Sequence, residues 1–281
     1  IENISNKNIN LIIFLHSTID PEQNELKKLI LLVDAFKKCQ RILVHTINDL
    51  NRLKSIGLVE NVSIFPHPIK NNYNSRTLIH KFSKINKNKK FLIGSSGYCL
   101  PNKGFVELIR SIPLLKEAKL NFHVNIFSPI YNTNYEYFYH ELIDLIKYLG
   151  VENYVTLHKE YLSLADLQNF LSNQDLLIYP YQKSNESSSA SVRDGIASFK
   201  PVLVTPLQIF EDIKELVDYL PGFSTDDLAR GILAWYEKLQ THPEEVNKLN
   251  LNRYELINSR RFSSLSFRLF SIINSLEINN T

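Results

Sequence analysis

The fold is decided by residues 179–210, which read YPYQKSNESSSASVRDGIASFKPVLVTPLQIF. The apolar residues at its start and the run VLV at 202–204 predict two short buried strands, and the stretch 188–199 between them has the length and pattern of a helix. Three serines at 187–189 stand where helix caps belong, and the polar loop before them carries Glu186. A strand, a helix and a second strand of this length predict a βαβ unit and hence a parallel sheet.

The same alternation of short strands and helices continues through most of the chain. It predicts further strands at 11–15, 42–45, 62–65, 91–95, 121–127, 154–157 and 176–179, and helices at 25–38, 47–56, 103–116, 135–149 and 164–171. Residues 70–90 are rich in Asn and Lys and have weak periodicity, which is typical of a connecting segment.

These elements predict an α/β protein built from two Rossmann-like units. Residues 71–260 form a doubly wound parallel-sheet domain, residues 1–70 form part of a second such domain, and a C-terminal helix over 261–281 could pack back on the first unit. The ligand is expected beyond the carboxyl ends of the strands, where the strand order reverses. Because the chain starts with Ile and contains no Met, we expect it to be a piece of a longer polypeptide.

Composition narrows the class of protein without identifying it. Hydrophobic residues make up 44% and charged residues 22% of the chain, which is typical of a globular protein, and the net charge of +3 is too balanced to predict a nucleic-acid partner. Cys39 and Cys99 show neither a disulfide framework nor metal-ligand spacing, which favours a reducing, cytoplasmic location. No apolar run is long enough to span a bilayer.

A second segment that could bind a ligand is residues 91–104, FLIGSSGYCLPNKG. A predicted strand ends in glycines and serines, and a helix begins near Lys103. Glycines let the backbone approach a ligand, and the N–H groups of a helix start favour anions, to which Lys103 adds a positive charge. The pattern is neither G-x-G-x-x-G nor a Walker A loop. A plain βα turn with a solvated lysine would produce the same pattern.

Two carboxylates lie eight residues apart in the first-quoted segment. Glu186 lies in the loop, and Asp194 falls about two turns into the helix. A carboxylate at the mouth of a cleft can accept hydrogen bonds from sugar hydroxyls, and a capped helix start beside it can bind phosphate. The alternative is a capped helix with two solvated acids, because most acidic side chains are exposed.

Taken together, these segments resemble the retaining GT-B glycosyltransferase family of the E-x7-E type, also called glycosyl transferases group 1. The signature reads Glu186-x7-Asp194 followed by ASFKPV, and residues 97–104 resemble the family's G-x-x-x-P-x-K-G loop. Residues 44–69, with VHTINDLNRLKSIGL and VSIFPHPI, resemble the segment that leads into its linker. The LHST sequence at 15–18 resembles the histidine loop of its N-terminal domain, of which the start is lacking here.

The resemblance implies a GT-B-like fold and a role for each matching residue. The catalytic residues would be His16 facing the donor sugar, Lys103 on the diphosphate and Glu186 on the sugar hydroxyls. Donor-binding residues would be Gly97, Tyr98, Lys103, Glu186, Ser187, Ser188, Ser189, Arg193 and Asp194. Asp194 would hold the ribose. Neither a metal nor a cofactor is implied, because the nucleotide sugar is itself the substrate.

The sequence departs from the family pattern at three positions. Tyr98 stands where the family usually has an arginine, the last Glu of the signature is Asp194, and Lys200 replaces a glycine. Arg193 is the candidate for supplying the missing positive charge from the helix.

Three functions remain open at this point. The first is a retaining, metal-independent glycosyltransferase acting on a glycan or lipid-linked acceptor. The second is a GT-B-like module that binds a sugar nucleotide or a partner without catalysis. The third is a sugar-nucleotide epimerase, for which the sequence shows no acid and base residues. A basic run at 81–90 predicts solvated lysines or, for a lipid-linked acceptor, contact with a membrane surface.

The other histidines and serines suggest no separate chemistry. His45 ends a strand and His67 lies between two prolines, so both are interpreted as structural. The remaining ones, His80, His123, His140, His158 and His242, show no metal-ligand spacing. Ser188 and Ser189 lack the G-x-S-x-G elbow of a hydrolase nucleophile.

Overall fold

The structure is a computed structural model that describes residues 10–21, 24–70 and 89–278, with side chains as far as residue 276. The predicted connecting segment at 70–90 lies almost wholly outside these residues, as do His80 and the lysines at 81, 84 and 87.

The N-terminal unit is a three-stranded parallel sheet. Its strands are β1 (Ile12–Leu15), β2 (Arg41–Val44) and β3 (Val62–Ile64), in the order β1-β2-β3. Leu15 pairs with Val44, and Val44 pairs with Ile64, so the three strands end side by side. Helices α1 (Val33–Lys37) and α2 (Ile47–Ser55) contribute apolar side chains to the core of this unit.

The helix predicted over residues 25–38 is wrong for most of its length. The structure has two 3-10 turns, Glu25–Lys27 and Leu29–Leu32, before the short helix α1. Leu26 is 88% exposed and Ile30 is 51% exposed, so the apolar stripe that favoured a helix has little surface to pack on. A short helix depends on such packing, and without it the periodic pattern does not suffice.

The C-terminal unit is a six-stranded parallel sheet with helices on both faces. Its strands are β4 (Phe91–Ser96), β5 (Phe122–Phe127), β6 (Val155–His158), β7 (Leu176–Tyr179), β8 (Val202–Val204) and β9 (Asp218–Tyr219). The order β6-β5-β4-β7-β8-β9 is that of a dinucleotide-binding Rossmann sheet, with the reversal between β4 and β7.

Helices cover this sheet and form its core. They are α3 (Phe105–Glu117), α4 (Glu136–Tyr148), α5 (Leu164–Ser172), α6 (Ala190–Ala197), α7 (Thr225–Thr241) and α8 (Pro243–Ser259). One apolar cluster joins α3, α4 and α7 to β4 and β5, and a second joins α6 to β7 and β8. The predicted α/β class with parallel sheets is therefore confirmed, although β9 was not predicted.

The last helix, α9 (Phe262–Ile278), returns to the N-terminal sheet. Leu265 is buried against Leu43 and Phe65, and Arg268 Nη2 donates to the carbonyl of Ile64 over 2.9 Å. The division of the chain at residues 70 and 260 stays a prediction. Among the described helices, none combines the length and the apolar character needed to cross a membrane.

Candidate functional site

The two ligand-binding segments predicted from the sequence meet where the strand order reverses. Ser96 ends β4, Tyr179 ends β7, and their side-chain oxygens lie 3.0 Å apart in a buried hydrogen bond. Beyond the strands, the amide of Gln182 donates to the carbonyl of Asn102 over 2.9 Å. The loops after β4 and β7 are therefore fixed to each other at the edge where doubly wound sheets bind ligands.

Gly104 makes this close approach of the loops possible. Its φ is +77°, and a Cβ placed on it would lie 1.8 Å from the carbonyl oxygen of Pro180. Any other residue would clash with the loop after β7. The last position of the predicted G-x-x-x-P-x-K-G loop therefore requires glycine on steric grounds.

Helix α6 begins at the predicted serines. Ser189 is the N-cap, and its buried hydroxyl accepts from the amide of Val192 over 3.4 Å and lies 3.1 Å from the hydroxyl of Tyr181. The prediction of a serine-capped helix in this segment is confirmed. Ala190 and Ser191, in the first turn, line a cleft. The N–H groups of a first helical turn have no partner within the helix and are available to an anion.

That first cleft has a volume of about 220 Å³. Gly97, Tyr98 and Asp194 line it, and Tyr131 and Tyr161 pack around Tyr98 with ring centres 5.0 and 6.1 Å away. Burial raises the pKa of the Asp194 carboxyl to about 6, and the charge of Lys70 opposes this rise. The cleft therefore combines a carboxylate, a backbone held close by glycine and an aromatic rim.

A second cleft, of about 360 Å³, adjoins the other end of the same loop. Lys103 and Glu186 both line it, together with Pro101, Asn102, Tyr135 and residues 183–185. Lys103 Nζ lies 4.0 Å from the centre of the Tyr181 ring. Within the described part of the chain Lys103 forms no ion pair, so its charge is available to a ligand in this cleft.

Two of the predicted donor-binding residues, Ser187 and Arg193, form other contacts in the structure. Ser187 Oγ donates to Asp49 Oδ1 over 2.7 Å, and its amide donates to the carbonyl of His16 over 3.4 Å, so Ser187 links the two units. Arg193 is 2% exposed; it is ion-paired with Asp212 and donates to the carbonyl of Ser189 over 2.7 Å. The position of Arg193 does not support a donor role. Ser188 lies half-buried between these contacts.

His16 lies directly after β1 on the N-terminal unit. The next residue, Ser17, donates through its hydroxyl to the carbonyl of Asn185 over 2.8 Å. The loop that carries His16 therefore touches the loop that carries Glu186, as the predicted arrangement across a cleft between units requires.

Asp49 is a buried carboxylate whose role the sequence did not indicate. Its oxygens accept from the hydroxyls of Thr18 at 2.5 Å, Thr46 at 2.5 Å and Ser187 at 2.7 Å. Thr46 also caps α2, because its hydroxyl accepts from the backbone amide of Asp49. The sequence pattern Thr46-x-x-Asp49 therefore indicates a helix cap, and it gives no sign of the contact with Ser187. Only the folded structure shows that the Asp49 carboxylate also accepts a hydrogen bond from Ser187 of the C-terminal unit.

His16, His45 and His67 lie together in one cluster. The sequence had indicated no relation between them. One ring nitrogen from each lies within 4.8 Å of the others, and His45 Nε2 is 3.0 Å from His16 Nδ1. Burial lowers the pKa of His45, and burial together with the charge of Arg193 lowers the pKa of His67 to about 4. All three follow neighbouring parallel strands, which is the signal that could have indicated the cluster.

Comparison with known proteins rests on structure alone. No protein-family model matches the chain, and no curated protein matches its sequence. Its fold matches Anabaena HepE in complex with UDP with a TM-score of 0.76 and 15% identity, over 95% of this chain and 73% of HepE.

Two further solved structures match over a similar span. A UDP-forming trehalose-phosphate synthase from Burkholderia xenovorans, in complex with glucose-6-phosphate, has a TM-score of 0.70 and 11% identity over 94% of this chain and 68% of its own. A mutant of S. aureus TarM, in complex with fondaparinux, α-GlcNAc-glycerol and UDP, has a TM-score of 0.70 and 15% identity over 95% of this chain. The chain spans 51% of the TarM chain. At these identities the matches show the fold, which is GT-B-like as predicted.

Proposed function

We propose that the chain binds a nucleotide-sugar donor and transfers the sugar, with retention, to a glycan or lipid-linked acceptor. The observation that carries this proposal is the meeting of the Gly97–Lys103 loop with the Glu186–Asp194 segment at the strand reversal. Solved proteins of the same fold were crystallised with UDP, which supports a nucleotide as the ligand of this edge.

The two clefts suit the two ends of such a donor. The first would take the nucleoside, with Asp194 accepting hydrogen bonds from the ribose hydroxyls and Tyr98 beside the base. The second would take the diphosphate and the sugar, with Lys103 on the phosphates and Glu186 on the sugar hydroxyls. The first turn of α6, which lines the first cleft, would face the phosphate nearer the nucleoside. Both clefts are lined by the same two segments, so one extended ligand can occupy them together.

Catalysis would consist mainly of stabilising charge on the leaving diphosphate. The acceptor oxygen bonds to the anomeric carbon as the glycosyl–phosphate bond breaks, and the acceptor proton passes to the departing phosphate on the same face. Lys103 and the helix N–H groups stabilise the charge that develops there, so the step needs no metal. His16 would contact the donor sugar from the N-terminal unit.

Nucleotide binding provides the first test. We expect one nucleoside diphosphate among UDP, GDP, ADP and CDP to raise the melting temperature at millimolar concentration, because a ligand that binds only the folded state stabilises it. Lys103→Ala should abolish that shift, whereas Lys147→Ala, on the exposed face of α4, should keep it. Equal shifts in both variants would contradict the proposed phosphate site.

Transfer itself provides the second test. With the nucleotide identified, Glu186→Gln should lower donor turnover by at least about 100-fold, as expected when a polar group aligned with the reacting sugar is removed, while nucleotide binding is kept. Turnover should not fall in EDTA. Unchanged turnover in Glu186→Gln would contradict the assigned role.

A second candidate is a module that binds a sugar nucleotide without transferring it. The observation that favours it is the loss of the arginine that the family usually has at the position of Tyr98. Arg193 is neutralised by Asp212. Donor hydrolysis in the absence of acceptor separates the two: the enzyme releases free sugar slowly, and the binding module releases none.

A further inference from the structure

Three histidines lie together at the carboxyl edge of the N-terminal sheet. His16 and His45 directly follow β1 and β2, and His67 lies three residues beyond β3. Because these parallel strands are neighbours in register, their ends bring the three rings to one place. The ring centre of His45 lies 4.9 Å from those of both His16 and His67.

The backbone hydrogen bonds of buried His45 and half-buried His67 fix which nitrogen of each ring holds the lone pair. His45 Nδ1 lies 3.1 Å from the carbonyl oxygen of Phe65, and His67 Nδ1 lies 3.1 Å from that of Pro68. A carbonyl can only accept, so each Nδ1 carries the proton and each Nε2 holds a lone pair. This is the arrangement of metal-binding histidines, in which the second nitrogen donates to a backbone carbonyl or carboxylate. In His45 the Nε2 lone pair accepts from His16 Nδ1 over 3.0 Å, and a metal ion would displace the shared proton.

The separations suit a small transition-metal ion. Ligand nitrogens about 2.0–2.1 Å from a tetrahedral zinc lie roughly 3.3 Å from one another. His45 Nε2 and His16 Nδ1 are 3.0 Å apart, and the largest separation among the three ligand atoms is 4.8 Å. His16 is exposed, so rotation of its side chain can close this gap without moving the rings of His45 and His67.

The surrounding charges permit a cation. Arg193 Nε lies 3.4 Å from the carbonyl oxygen of His67, and the ion pair of Arg193 with Asp212 offsets its charge. The buried carboxylate of Asp49 also acts on His45 and favours positive charge there. The two nearby carboxylates, Asp49 and Asp212, are themselves paired with Arg52, Arg193 and Arg260, so the positive side chains around the cluster each have a carboxylate partner.

We propose that His16, His45 and His67 bind one divalent transition-metal ion of the zinc class through three imidazole nitrogens, with the fourth position open to water. Imidazole ligands select zinc, copper or nickel over magnesium and calcium. The site shares His16 with the proposed donor contact, so a bound ion would compete with that contact, whereas His45 and His67 have no part in the proposed sugar transfer.

Equilibrium dialysis of tag-free protein against Zn²⁺ tests this proposal. We expect one ion per chain, and none when Mg²⁺ replaces Zn²⁺. His67→Gln and His16→Gln should each weaken binding by at least about 100-fold, since even outer-shell changes at metal sites cost 10–100-fold. His140→Gln, an exposed histidine on α4, should bind as tightly as the unaltered chain.

Circular dichroism shows which variants are folded before binding is compared. His16 is exposed, so His16→Gln keeps the test decisive if a change at half-buried His67 disrupts folding. Absence of stoichiometric zinc binding would overturn the proposal. So would binding that survives in folded His16→Gln, or binding that is lost in His140→Gln.

Discussion

At the scale of single residues, Asp194 shows how a ligand site can reduce stability. Burial raises the pKa of its carboxyl from 3.8 to about 6. The folded state therefore favours the protonated form, so the ionised carboxyl lowers the free energy of unfolding above pH 6, and this penalty fades as the pH falls towards 4. The difference between the two pKa values corresponds to at most about 3 kcal/mol.

We predict that Asp194→Asn raises the free energy of unfolding by about 2 kcal/mol at pH 8 and by about 0.5 kcal/mol at pH 4. Urea denaturation across this pH range measures the effect. Asp144→Asn, on the exposed face of α4, should change stability by less than about 0.5 kcal/mol at either pH. If the proposed ribose contact is right, Asp194→Asn also weakens nucleotide binding at pH 8, so stability and binding change in opposite directions.

Gly104 is the residue on which the meeting of the two loops depends. We predict that Gly104→Ala costs at least about 3 kcal/mol, because its Cβ would lie 1.8 Å from the Pro180 carbonyl oxygen and one of the loops must move. Gly150→Ala is the matched control: its φ is +61°, but nothing lies within 4 Å of the added Cβ. It should cost about 1 kcal/mol, which is the strain of the backbone conformation alone.

Urea denaturation measures both glycine variants, and nucleotide binding shows whether the loops have moved. Similar costs for Gly104→Ala and Gly150→Ala would contradict the steric argument. Loss of binding in Gly104→Ala alone would support a site formed by the two loops.

At the scale of elements, the sequence predicted strands better than helices. Buried parallel strands such as β7 and β8 consist of uninterrupted apolar residues, and a short apolar run bounded by polar or turn residues is typical of a strand covered on both faces. The helix predicted at 25–38 failed because Leu26 and Ile30, two of its periodic residues, are exposed and do not pack on the unit. The two-residue β9 was missed because its place depends on pairing with β8 rather than on its own residues.

The candidate site was predictable where its residues belong to local sequence motifs. Local motifs indicated the Gly97–Lys103 loop, the Ser189 cap and the place of Glu186. The histidine cluster and the contacts of Asp49 arise from register between strands and from the approach of two units, which no local pattern records. Arg193 was assigned a ligand because the sequence does not show its partner Asp212, nineteen residues later.

Helix α9 provides a test of how the elements of the two units depend on each other. Leu265 is 6% exposed against Leu43 and Phe65, whereas Phe267 on the same helix is 75% exposed. We predict that Leu265→Ala costs about 2–4 kcal/mol and Phe267→Ala less than about 1 kcal/mol, both measured by urea denaturation. Equal losses would show that α9 does not pack on the N-terminal sheet through Leu265.

At the scale of the whole molecule, the loop of residues 180–189 joins ligand binding to contact between the units. It carries Glu186 at the second cleft, and it touches the N-terminal unit through Asn185 and Ser187. A ligand that orders this loop would therefore also strengthen the contact between units, since the same backbone serves both.

The hydrogen bond from Ser187 to Asp49 is the contact to test. We predict that Ser187→Ala lowers the free energy of unfolding by about 1–2 kcal/mol, because the bond is buried and its acceptor is charged, while the hydroxyls of Thr18 and Thr46 still satisfy Asp49. Ser188→Ala, one residue further along the loop, should cost less than about 0.5 kcal/mol. Calorimetry should show the loss mainly in unfolding of the N-terminal unit, which has only three strands among the described residues. If the calorimetric unfolding curves of Ser187→Ala and Ser188→Ala are the same, the hydrogen bond from Ser187 to Asp49 does not hold the two units together.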